Sequence, residues 1–364
     1  MQYRITVLSG DGIGPEIVRE AVKVLERVSE LEGFTIHFHE ALFGGAAIDE
    51  TGEPLPEETI RSCKESRAVL MGSIGGQVGV SPWYRLPVEK RPEAGLLRLR
   101  KELGLFCNLR PAKLYPELAS ASPLKEEILK DGFDVLMIRE LTGGLYFGEK
   151  SLRIEEGEEV ARDELIYRAH EIRRIAKIAF SLAKARGGEL TSVDKANVLE
   201  SSRLWRKIFT EEGEKEEGVS LSHVLVDSMA MQLVRNPGKF SVIATENMFG
   251  DILSDEMAEI SGSLGMLPSA SLGENDFGLY EPSGGSAPDI AGKNLANPLA
   301  TILSAAMLLR FSLHEKQAAE RIERAVEKVL KKGARTKDIF PKEKTEGVSL
   351  LSCTEMGEEV RNAL

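Results

Sequence analysis

Two aspartates in the string FGDILSD (249–255) are spaced for metal binding. Asp251 and Asp255 are four residues apart, and on a helix this spacing places both carboxylates on one face, with Cβ atoms about 5–6 Å apart. Two like charges this close repel unless a cation lies between them, and hard divalent ions take oxygen ligands of this kind. Acidic residues also suit the first turn of a helix, but capping explains Asp251 better than Asp255. The spacing therefore favours a divalent metal, with Asp227, which follows a predicted strand, as a third oxygen donor.

Three arginines could supply the local positive charge that an anionic substrate requires. Arg100 lies in the string GLLRLRK and Arg110 in NLRPAK, while Arg139 ends an apolar strand pattern. Arginine grips a carboxylate with a planar fork of donors, and ligand sites gather at strand ends in α/β proteins. A separate structural ion pair explains each single arginine equally well. Together the three could form the basic cluster that a dianionic substrate needs.

Lys195 and Tyr146 are candidates for proton transfer. Lys195 follows Asp194 at the end of a predicted strand. A lysine near bound metal and other cations loses affinity for its proton, so it can act as a base near neutral pH. Tyr146 lies in the glycine-rich string GGLYFG, where its hydroxyl could donate a proton. The alternatives stay open here, because an exposed lysine is commonly inert and an aromatic residue in such a loop can be only an anchor.

Two glycine-rich segments are candidates for nucleotide binding. Residues 10–14 (GDGIG) join a strand to a helix, but their third glycine comes one residue too early for the GxGxxG fingerprint, so a plain tight turn explains them better. Residues 281–297 form a long loop rich in glycine and proline, and its backbone N–H groups could cradle a nucleotide. Asp289 in this loop could accept hydrogen bonds from a ribose 2′-hydroxyl and would repel a 2′-phosphate, which favours NAD over NADP.

The composition limits the classes of partner. The chain of 364 residues carries 58 acidic and 47 basic side chains, a net charge of −11, and nucleic-acid binding rests on a basic surface. Three separated cysteines without a CxxC spacing argue against disulfides and a structural zinc. The most apolar stretch, 299–309, is shorter than the roughly 20 residues of a membrane span, and no signal peptide is evident. We therefore expect a cytoplasmic protein with no membrane or nucleic-acid partner.

Alternating strand and helix patterns must position these residues. Apolar runs typical of buried strands lie at 4–8, 68–71, 133–138 and 240–244. Helical periodicity is clear over 164–186, 298–310 and 317–332. The alternation predicts an α/β fold with a mostly parallel sheet, and the chain length predicts two domains. The charged run at 211–217 is interpreted as a solvated helix end.

Long strings over nearly the whole chain carry a family resemblance: GDGIGPE (10–16), FGGAAID (43–49), GLLRLRK (95–101), NLRPAK (108–113), RELTGGLYFGE (139–149), VDKANVL (193–199), FGDILSDE (249–256), GSLGMLPSAS (262–271) and GSAPDIAGK (285–293). In this order they resemble the isocitrate/isopropylmalate family of β-decarboxylating dehydrogenases. The resemblance implies a two-domain, non-Rossmann fold, with domain 1 at 1–105 and 262–364 and domain 2 at 106–261. It also implies a homodimer whose active sites are shared between subunits, with a β arm near 143–166 at the interface.

The resemblance assigns roles in substrate and metal binding. Arg100, Arg110 and Arg139 would bind the carboxylates of a small dicarboxylate substrate. Leu96 and Leu97 would line a pocket for an isopropyl group. Mg²⁺ or Mn²⁺ would be held by Asp251 and Asp255 of one subunit together with Asp227 of the partner subunit. Asp227 of the partner subunit would also lie beside the substrate.

The resemblance also assigns the proton transfers and the cofactor contacts. Lys195 of the partner subunit would take the hydroxyl proton, and Tyr146 would donate a proton to the enol after CO₂ is lost. NAD would be contacted by Ile13, Gly75, Gly76, Glu93, Leu264, Gly285, Ser286, Ala287, Asp289, Ile290 and Asn297. The implied reaction is the NAD-dependent oxidative decarboxylation of 3-isopropylmalate, in leucine biosynthesis.

Alternatives and departures remain beside this interpretation. Isocitrate, homoisocitrate or tartrate could be the substrate, although isocitrate would need polar groups where Leu96 and Leu97 present an apolar wall. A non-catalytic small-anion binding protein could use the same arginines but has no need of Lys195 or Tyr146. The chain departs from the family at Gly284, where many members carry histidine, and between Gly76 and Trp83, where it has about four more residues than the usual GGPKW spacing.

Overall fold

The computed structural model describes residues 1–343 and 346–364. The strands are β1 Gln2–Gly10, β2 Thr35–Glu40, β3 Ala68–Ser73, β4 Cys107–Lys113, β5 Asp134–Glu140, β6 Lys150–Glu155, β7 Glu158–Asp163, β8 Glu189–Asp194, β9 Ser220–Leu225, β10 Val242–Thr245, β11 Pro268–Leu272, β12 Gly278–Pro282, β13 Ala334–Arg335 and β14 Ser349–Leu350. The helices are α1 Gly14–Glu32, α2 Gly44–Thr51, α3 Glu57–Lys64, α4 Pro92–Glu102, α5 Glu126–Leu129, α6 Ala169–Ala185, α7 Glu200–Gly213, α8 Val226–Arg235, α9 Asn247–Ile260, α10 Leu299–Phe311, α11 Lys316–Lys331 and α12 Cys353–Ala363.

The chain folds into two compact units. Unit 1 comprises residues 1–105, 115–123 and 261–364, and unit 2 comprises residues 106–114 and 124–260. Both chain ends therefore belong to unit 1. None of the helices within the described ranges is both long and apolar enough to cross a membrane.

Unit 1 is built on strands in the order β2-β1-β3-β12-β11. The neighbours pair in parallel except β11 and β12, which are antiparallel. Helices cover this sheet, so β3 is buried along its whole length. This burial explains the continuous apolar run at residues 68–71 of β3. Helix α10 contacts β11 and β12 and is buried from its first residue to Leu309, which explains why its sequence is almost wholly apolar.

Unit 2 is built on strands in the order β4-β5-β10-β8-β9. The β4–β5 pair is antiparallel, and the others are parallel. Helices α6 and α7 pack against each other and against β8, while α9 contacts β5 and β10. The carboxyl ends of the parallel strands β5, β8 and β10 lie at one edge, which is where α/β proteins collect their functional side chains.

Strands β6 and β7 of unit 2 form a hairpin that is a two-stranded sheet of its own. Its two-residue turn has φ of 52° at Glu156 and 86° at Gly157, the pair of positive values that a type I′ turn requires. Gly148 lies at the base, where a Cβ would come within 1.7 Å of the Glu164 carbonyl oxygen. Leu152 and Ile154 on the hairpin are 68% and 78% exposed.

The α/β class and the mostly parallel sheets predicted from the sequence are confirmed. Three predicted boundaries are wrong. The helix expected from residue 164 begins at Ala169, because the Glu171 carboxylate in its first turn accepts the Arg168 N–H at 2.7 Å. The strand expected from residue 240 begins at Val242, because a 3₁₀ turn occupies Pro237–Lys239. The loop expected from residue 281 begins at Ser283, because β12 ends at Pro282.

Candidate functional site

Arg139 and Asp251 form the centre of a polar cluster in unit 2. The Arg139 guanidinium is buried near the end of β5 and pairs with the Asp251 carboxylate on α9. The Asn247 side-chain oxygen accepts hydrogen bonds from Arg139 Nε and Nη2 at 3.0 and 2.8 Å. Gly250 allows the helix to come this close, because a Cβ there would lie 2.6 Å from Arg139 Cγ. The orientation of the Arg139 fork is thus fixed by α9.

Arg110 joins this cluster from the middle of β4 rather than from its end, where the sequence pattern placed it. Its Nη1 donates to Ser254 Oγ at 2.7 Å and to Asp255 Oδ1 at 3.2 Å. Its Nη2 lies 3.9 Å from Asp251 Oδ1, and its Nε donates to Asn108 Oδ1 at 2.9 Å. One guanidinium therefore lies beside both aspartates and offsets part of their mutual repulsion.

The two aspartates lie on one helix, α9, as predicted. Asp251 lies beyond the first turn of α9, so helix capping does not account for it. The N-terminus of α9 is capped by Glu246 instead, because the Glu246 carboxylate accepts the Phe249 N–H. Burial raises the pKa of Asp255, Arg110 opposes the rise, and the negative charge of Asp251 adds to it. Two partly exposed carboxylates that disfavour each other's charge fit a hard divalent cation.

Tyr146 contacts the same cluster. Its hydroxyl donates to Asp251 Oδ2 at 3.0 Å, and Arg139 Cζ lies 5.8 Å from its ring centre. Burial, followed by the charge of Asp251, raises the pKa of Tyr146 to about 12, so the phenol keeps its proton at neutral pH. Gly143 and Gly144 permit this loop path, since a Cβ at either would lie within 2.8 Å of the Tyr167 side chain.

Lys195 and Asp227 form a second polar pair in unit 2. Lys195 directly follows β8, and its Nζ lies 2.7 Å from Asp227 Oδ1 in the first turn of α8. The hydrogen bond from Lys195 is the largest cause that lowers the pKa of Asp227, so this carboxylate is ionised. Asp194 is not available to Lys195 as an ion-pair partner, because it is buried and held by Arg206 at 2.8 Å.

The predicted metal ligands therefore fall in two places within one chain. Asp251 and Asp255 share Arg110, while Asp227 pairs with Lys195. In the part of the chain that the structure describes, no three acidic, histidine or cysteine side chains gather as a metal site. A complete oxygen cage would need a further ligand from elsewhere.

Helix α4 of unit 1 carries the remaining substrate candidates. Arg100 is buried and its Nη2 pairs with Glu281 Oε1 at 3.0 Å, so part of its charge is already balanced. Leu96 and Leu97 are half-buried and lie one helical turn before Arg100, on the face that carries it. Leu96 packs against the hydrophobic core of unit 1.

A pocket of about 450 Å³ in unit 1 is lined by Ile74, Gly76, Gln77 and residues 285–289. At Gly285 a Cβ would meet nothing within 4 Å, and at Gly284 the nearest atom is Leu264 Cβ at 3.9 Å. The glycine backbone is therefore open to a bound molecule here. Asp289 is exposed at the rim, as its predicted ribose contact requires. An open glycine backbone and an exposed carboxylate are features that suit the adenosine half of a dinucleotide.

The N-terminal glycine turn supports this loop. The Ile13 N–H donates to the Ser286 carbonyl at 2.9 Å, and a Cβ at Gly12 would lie 2.0 Å from the same oxygen. The Asp11 carboxylate accepts the N–H groups of Gly45 and Gly75 at 2.8 and 2.7 Å. The turn is thus a packing junction, as its spacing indicated.

The other predicted cofactor residues surround the same region of unit 1. Glu93 is exposed in the first turn of α4, and Gly75 lies so close that a Cβ there would be 3.0 Å from Glu93 Oε1. Leu264 is 39% exposed. Asn297 Nδ2 donates to Asp338 Oδ2 at 3.0 Å. Ala287 adopts a positive φ of 38°, and its carbonyl accepts the N–H of Ile290.

Sequence reasoning missed the residues that hold the predicted ones in place. Asn247 and Ser254 fix the two arginines of unit 2, and Glu281 fixes Arg100. Asn247 lies two residues before the string FGDILSD (249–255), and Ser254 lies inside it, so polar residues near the aspartates were the available signal. Glu281 is 181 residues from Arg100, and nothing local connects the two.

The chain resembles known proteins over nearly its full length. A family model described as isocitrate/isopropylmalate dehydrogenase matches residues 4–360. A 3-isopropylmalate dehydrogenase of Carboxydothermus hydrogenoformans is 56% identical over 360 residues, which cover 98% of this chain and 94% of that protein. One from Aquifex aeolicus is 55% identical over 340 residues, which cover 93% and 92%.

Solved structures show the same likeness. An isocitrate dehydrogenase of Methylococcus capsulatus matches with a TM-score of 0.85 at 33% identity, covering 99% of each chain. A β-decarboxylating dehydrogenase of Thermococcus kodakarensis matches with a TM-score of 0.76 at 37% identity, covering 99% of this chain and 96% of that one.

The fold and these similarities define an α/β dehydrogenase. The chain belongs to the isocitrate/isopropylmalate dehydrogenase family, as the sequence strings predicted. It is therefore an oxidoreductase, and the alternative of a non-catalytic anion-binding protein is wrong.

Proposed function

We propose that this chain oxidises 3-isopropylmalate with NAD and releases CO₂ from the product, a reaction of leucine biosynthesis. The observation that carries the reaction is the cluster in which Arg139, Asp251 and Tyr146 contact one another. It combines a carboxylate-binding fork, a metal ligand and a proton donor within direct contact. The names of relatives at 55–56% identity over more than nine-tenths of the chain support the substrate.

The arginines bind and orient the substrate carboxylates. Arg110 and Arg139 are held by Asn108, Ser254 and Asn247, so little rotamer freedom remains to be lost when a dicarboxylate binds. Arg100 adds a third fork on α4. Because its Nη2 is held by Glu281, its orientation is fixed as well. The net charge of −11 makes such a local basic cluster necessary for an anionic substrate.

The aspartates Asp251 and Asp255, with Asp227 of the partner subunit, would hold Mg²⁺ or Mn²⁺. A divalent cation bound there acts as a Lewis acid that stabilises negative charge on the substrate oxygens during oxidation and decarboxylation. The Asp251 carboxylate pairs with Arg139 and accepts a hydrogen bond from the Tyr146 hydroxyl, so two neighbours fix the position of Asp251.

Two side chains move the protons. Lys195 takes the proton of the substrate hydroxyl, and Asp227 fixes the position of its Nζ through the 2.7 Å hydrogen bond. Tyr146 returns a proton to the carbon skeleton after CO₂ leaves, and its raised pKa keeps the hydroxyl protonated until then. The base and the acid thus act at opposite stages.

Unit 1 holds the cofactor in this proposal. NAD would supply the hydride acceptor, and the pocket at residues 285–289 would bind its adenosine half. Asp289 at the rim accepts from the 2′-hydroxyl and disfavours a 2′-phosphate. We propose that unit 1 acts as the cofactor domain, whereas unit 2 carries the metal ligands and the dimer interface.

The homodimer is proposed from exposed apolar side chains of unit 2. Leu152 and Ile154 on the β6–β7 hairpin are exposed, as are Met231 on α8 at 61% and Ile252 on α9 at 60%. Apolar side chains gathered on exposed elements mark interaction surfaces. Within residues 1–343 and 346–364 of one chain, Asp227 does not join Asp251 and Asp255 in a metal site, and a second copy that covers these apolar side chains would bring its own Lys195–Asp227 pair.

The substrate is tested at Leu97, a half-buried leucine three residues before Arg100 on α4. Leu97→Ala should lower kcat/KM for 3-isopropylmalate about tenfold or more, because contact with the isopropyl group is lost. Malate, which lacks that group, should react as with the unchanged enzyme. Leu31→Ala, at a 40% exposed leucine of α1, is the control. An equal loss of kcat/KM for both substrates would show that Leu97 does not contact the isopropyl group.

A further inference from the structure

Tyr84 connects the longer loop at 76–83 to a carboxylate of the cofactor site. Its hydroxyl donates to Glu93 Oε1 and lies 3.3 Å from the Gly76 carbonyl oxygen. Gly75 is part of the same arrangement, since a Cβ there would be 3.0 Å from Glu93 Oε1 and 3.7 Å from the Tyr84 hydroxyl. One phenol therefore touches both the first turn of α4 and the start of the loop.

The loop that Tyr84 holds forms part of the cofactor pocket. Gly76 and Gln77 line this pocket opposite residues 285–289. The Gln77 carbonyl accepts the N–H groups of Val80 and Ser81 at 3.0 and 2.9 Å, so the extra residues form a compact turn of their own. The end of the loop is anchored separately, because Trp83 Nε1 donates to Asp49 Oδ1 at 2.9 Å. The Tyr84 hydroxyl is the contact that joins Gly76, at the start of the loop, to Glu93.

Tyr84 is suited to act as a permanent donor. Burial, followed by its hydrogen bond to Glu93, raises its pKa to about 12, so it keeps its proton at any working pH. Its ring lies 5.7 Å from Arg91 Cζ, which restrains the ring independently of the hydroxyl. A phenylalanine would keep the ring in place and remove the donor alone.

We propose that Tyr84 is a positioning residue for NAD, holding Glu93 and the Gly76–Gln77 wall in the arrangement that receives the cofactor. This inference rests on the proposed function and on the NAD contact that the family resemblance assigns to Glu93. Without the phenol, the Glu93 carboxylate and the loop lose their common donor, and both must be ordered when NAD binds. The loss should therefore appear in NAD affinity rather than in the rate of the chemical step.

The test is Tyr84→Phe, with NAD binding measured by titration calorimetry in the absence of substrate. We expect the Kd for NAD to rise about three- to tenfold, the usual net contribution of one hydrogen bond. The KM for NAD should rise by a similar factor, with kcat changed less than about twofold. The matched control is Tyr3→Phe, because Tyr3 also donates to a carboxylate of unit 1, Glu315 at 2.8 Å, on a different part of the surface.

A Tyr84→Phe protein that binds NAD as tightly as the Tyr3→Phe control would overturn the inference. A second measurement shows whether Tyr84 acts through Glu93: in a Glu93→Ala background, Tyr84→Phe should weaken NAD binding less than it does alone, because only the contact with Gly76 remains to be lost. An undiminished loss in that background would contradict the positioning role. Failure of the proposed function would look different, because the unchanged protein would then not reduce NAD with 3-isopropylmalate, whatever the variants do to NAD binding.

Discussion

Lys195→Ala is expected to lower kcat with 3-isopropylmalate and NAD by about 10²- to 10⁴-fold, the usual contribution of one positioned acid or base. The substrate should still bind, because the arginines that hold its carboxylates are elsewhere in the chain. The position of Lys195 is well defined, because it directly follows β8 and its Nζ donates to Asp227 Oδ1 at 2.7 Å. Stopped-flow absorbance at the NADH band, with dissociation constants from calorimetry, measures the two effects separately.

The control for this variant is another lysine paired with a carboxylate in unit 2. Lys215 Nζ lies 2.6 Å from Glu212 Oε1, at the end of α7. Lys215→Ala removes a comparable ion pair without touching the site and should leave kcat unchanged. A Lys195→Ala protein that keeps more than a tenth of the original kcat would exclude Lys195 as the base.

Asp251→Asn is expected to have an equally large effect through the metal. Loss of an outer-shell partner alone costs metal sites about 10- to 100-fold in affinity, so loss of a ligand should cost about a hundredfold or more. The change also removes the negative partner of the buried Arg139 and the acceptor of the Tyr146 hydroxyl. The Mg²⁺ concentration for half-maximal activity should rise by that factor.

The matched control is Asp134→Asn, which removes an aspartate–arginine pair of unit 2 at the surface, with Asp134 Oδ1 2.7 Å from Arg186 Nη2. It should leave the Mg²⁺ dependence unchanged. If Asp251→Asn also left it unchanged, the metal assignment on α9 would be wrong.

Mixing the two inactive variants tests the shared active site. If Lys195 of one subunit serves Asp251 of the other, a mixed dimer of Lys195→Ala and Asp251→Asn chains contains one intact site and one doubly altered site. Random reassociation of equal amounts should then restore about a quarter of the original activity, because half the dimers are mixed and each has one working site. Activity that stays at the level of the separate variants would place both residues in sites formed within one chain.

Local patterns in the sequence predicted the α/β class and the elements on which several candidate side chains lie. The apolar run at 68–71 became the fully buried β3, and the four-residue spacing of Asp251 and Asp255 placed both on α9. These features depend on periodicity within one element, which a sequence displays directly. The GDGIG turn was also recognised as a packing turn, because its spacing departs from the phosphate-binding fingerprint.

Contacts between distant segments could not be predicted in the same way. The pairs Arg100–Glu281 and Arg139–Asn247 join positions 181 and 108 residues apart, and only the tertiary fold brings them together. The contact of Tyr84 with Glu93 is close in sequence but crosses an irregular loop without periodicity. The start of α6 at Ala169 depends on one hydrogen bond from the Arg168 N–H to the Glu171 carboxylate, and such a contact shifts a helix boundary without changing the apolar periodicity.

The most direct measurement compares kcat/KM for 3-isopropylmalate and for isocitrate, with the purified chain, NAD and Mg²⁺, by absorbance of NADH. The apolar wall formed by Leu96 and Leu97 before Arg100 makes burial of an isopropyl group favourable and burial of a third carboxylate costly. We therefore predict a preference of at least about a hundredfold for 3-isopropylmalate. An equal or greater kcat/KM for isocitrate would contradict the proposed function.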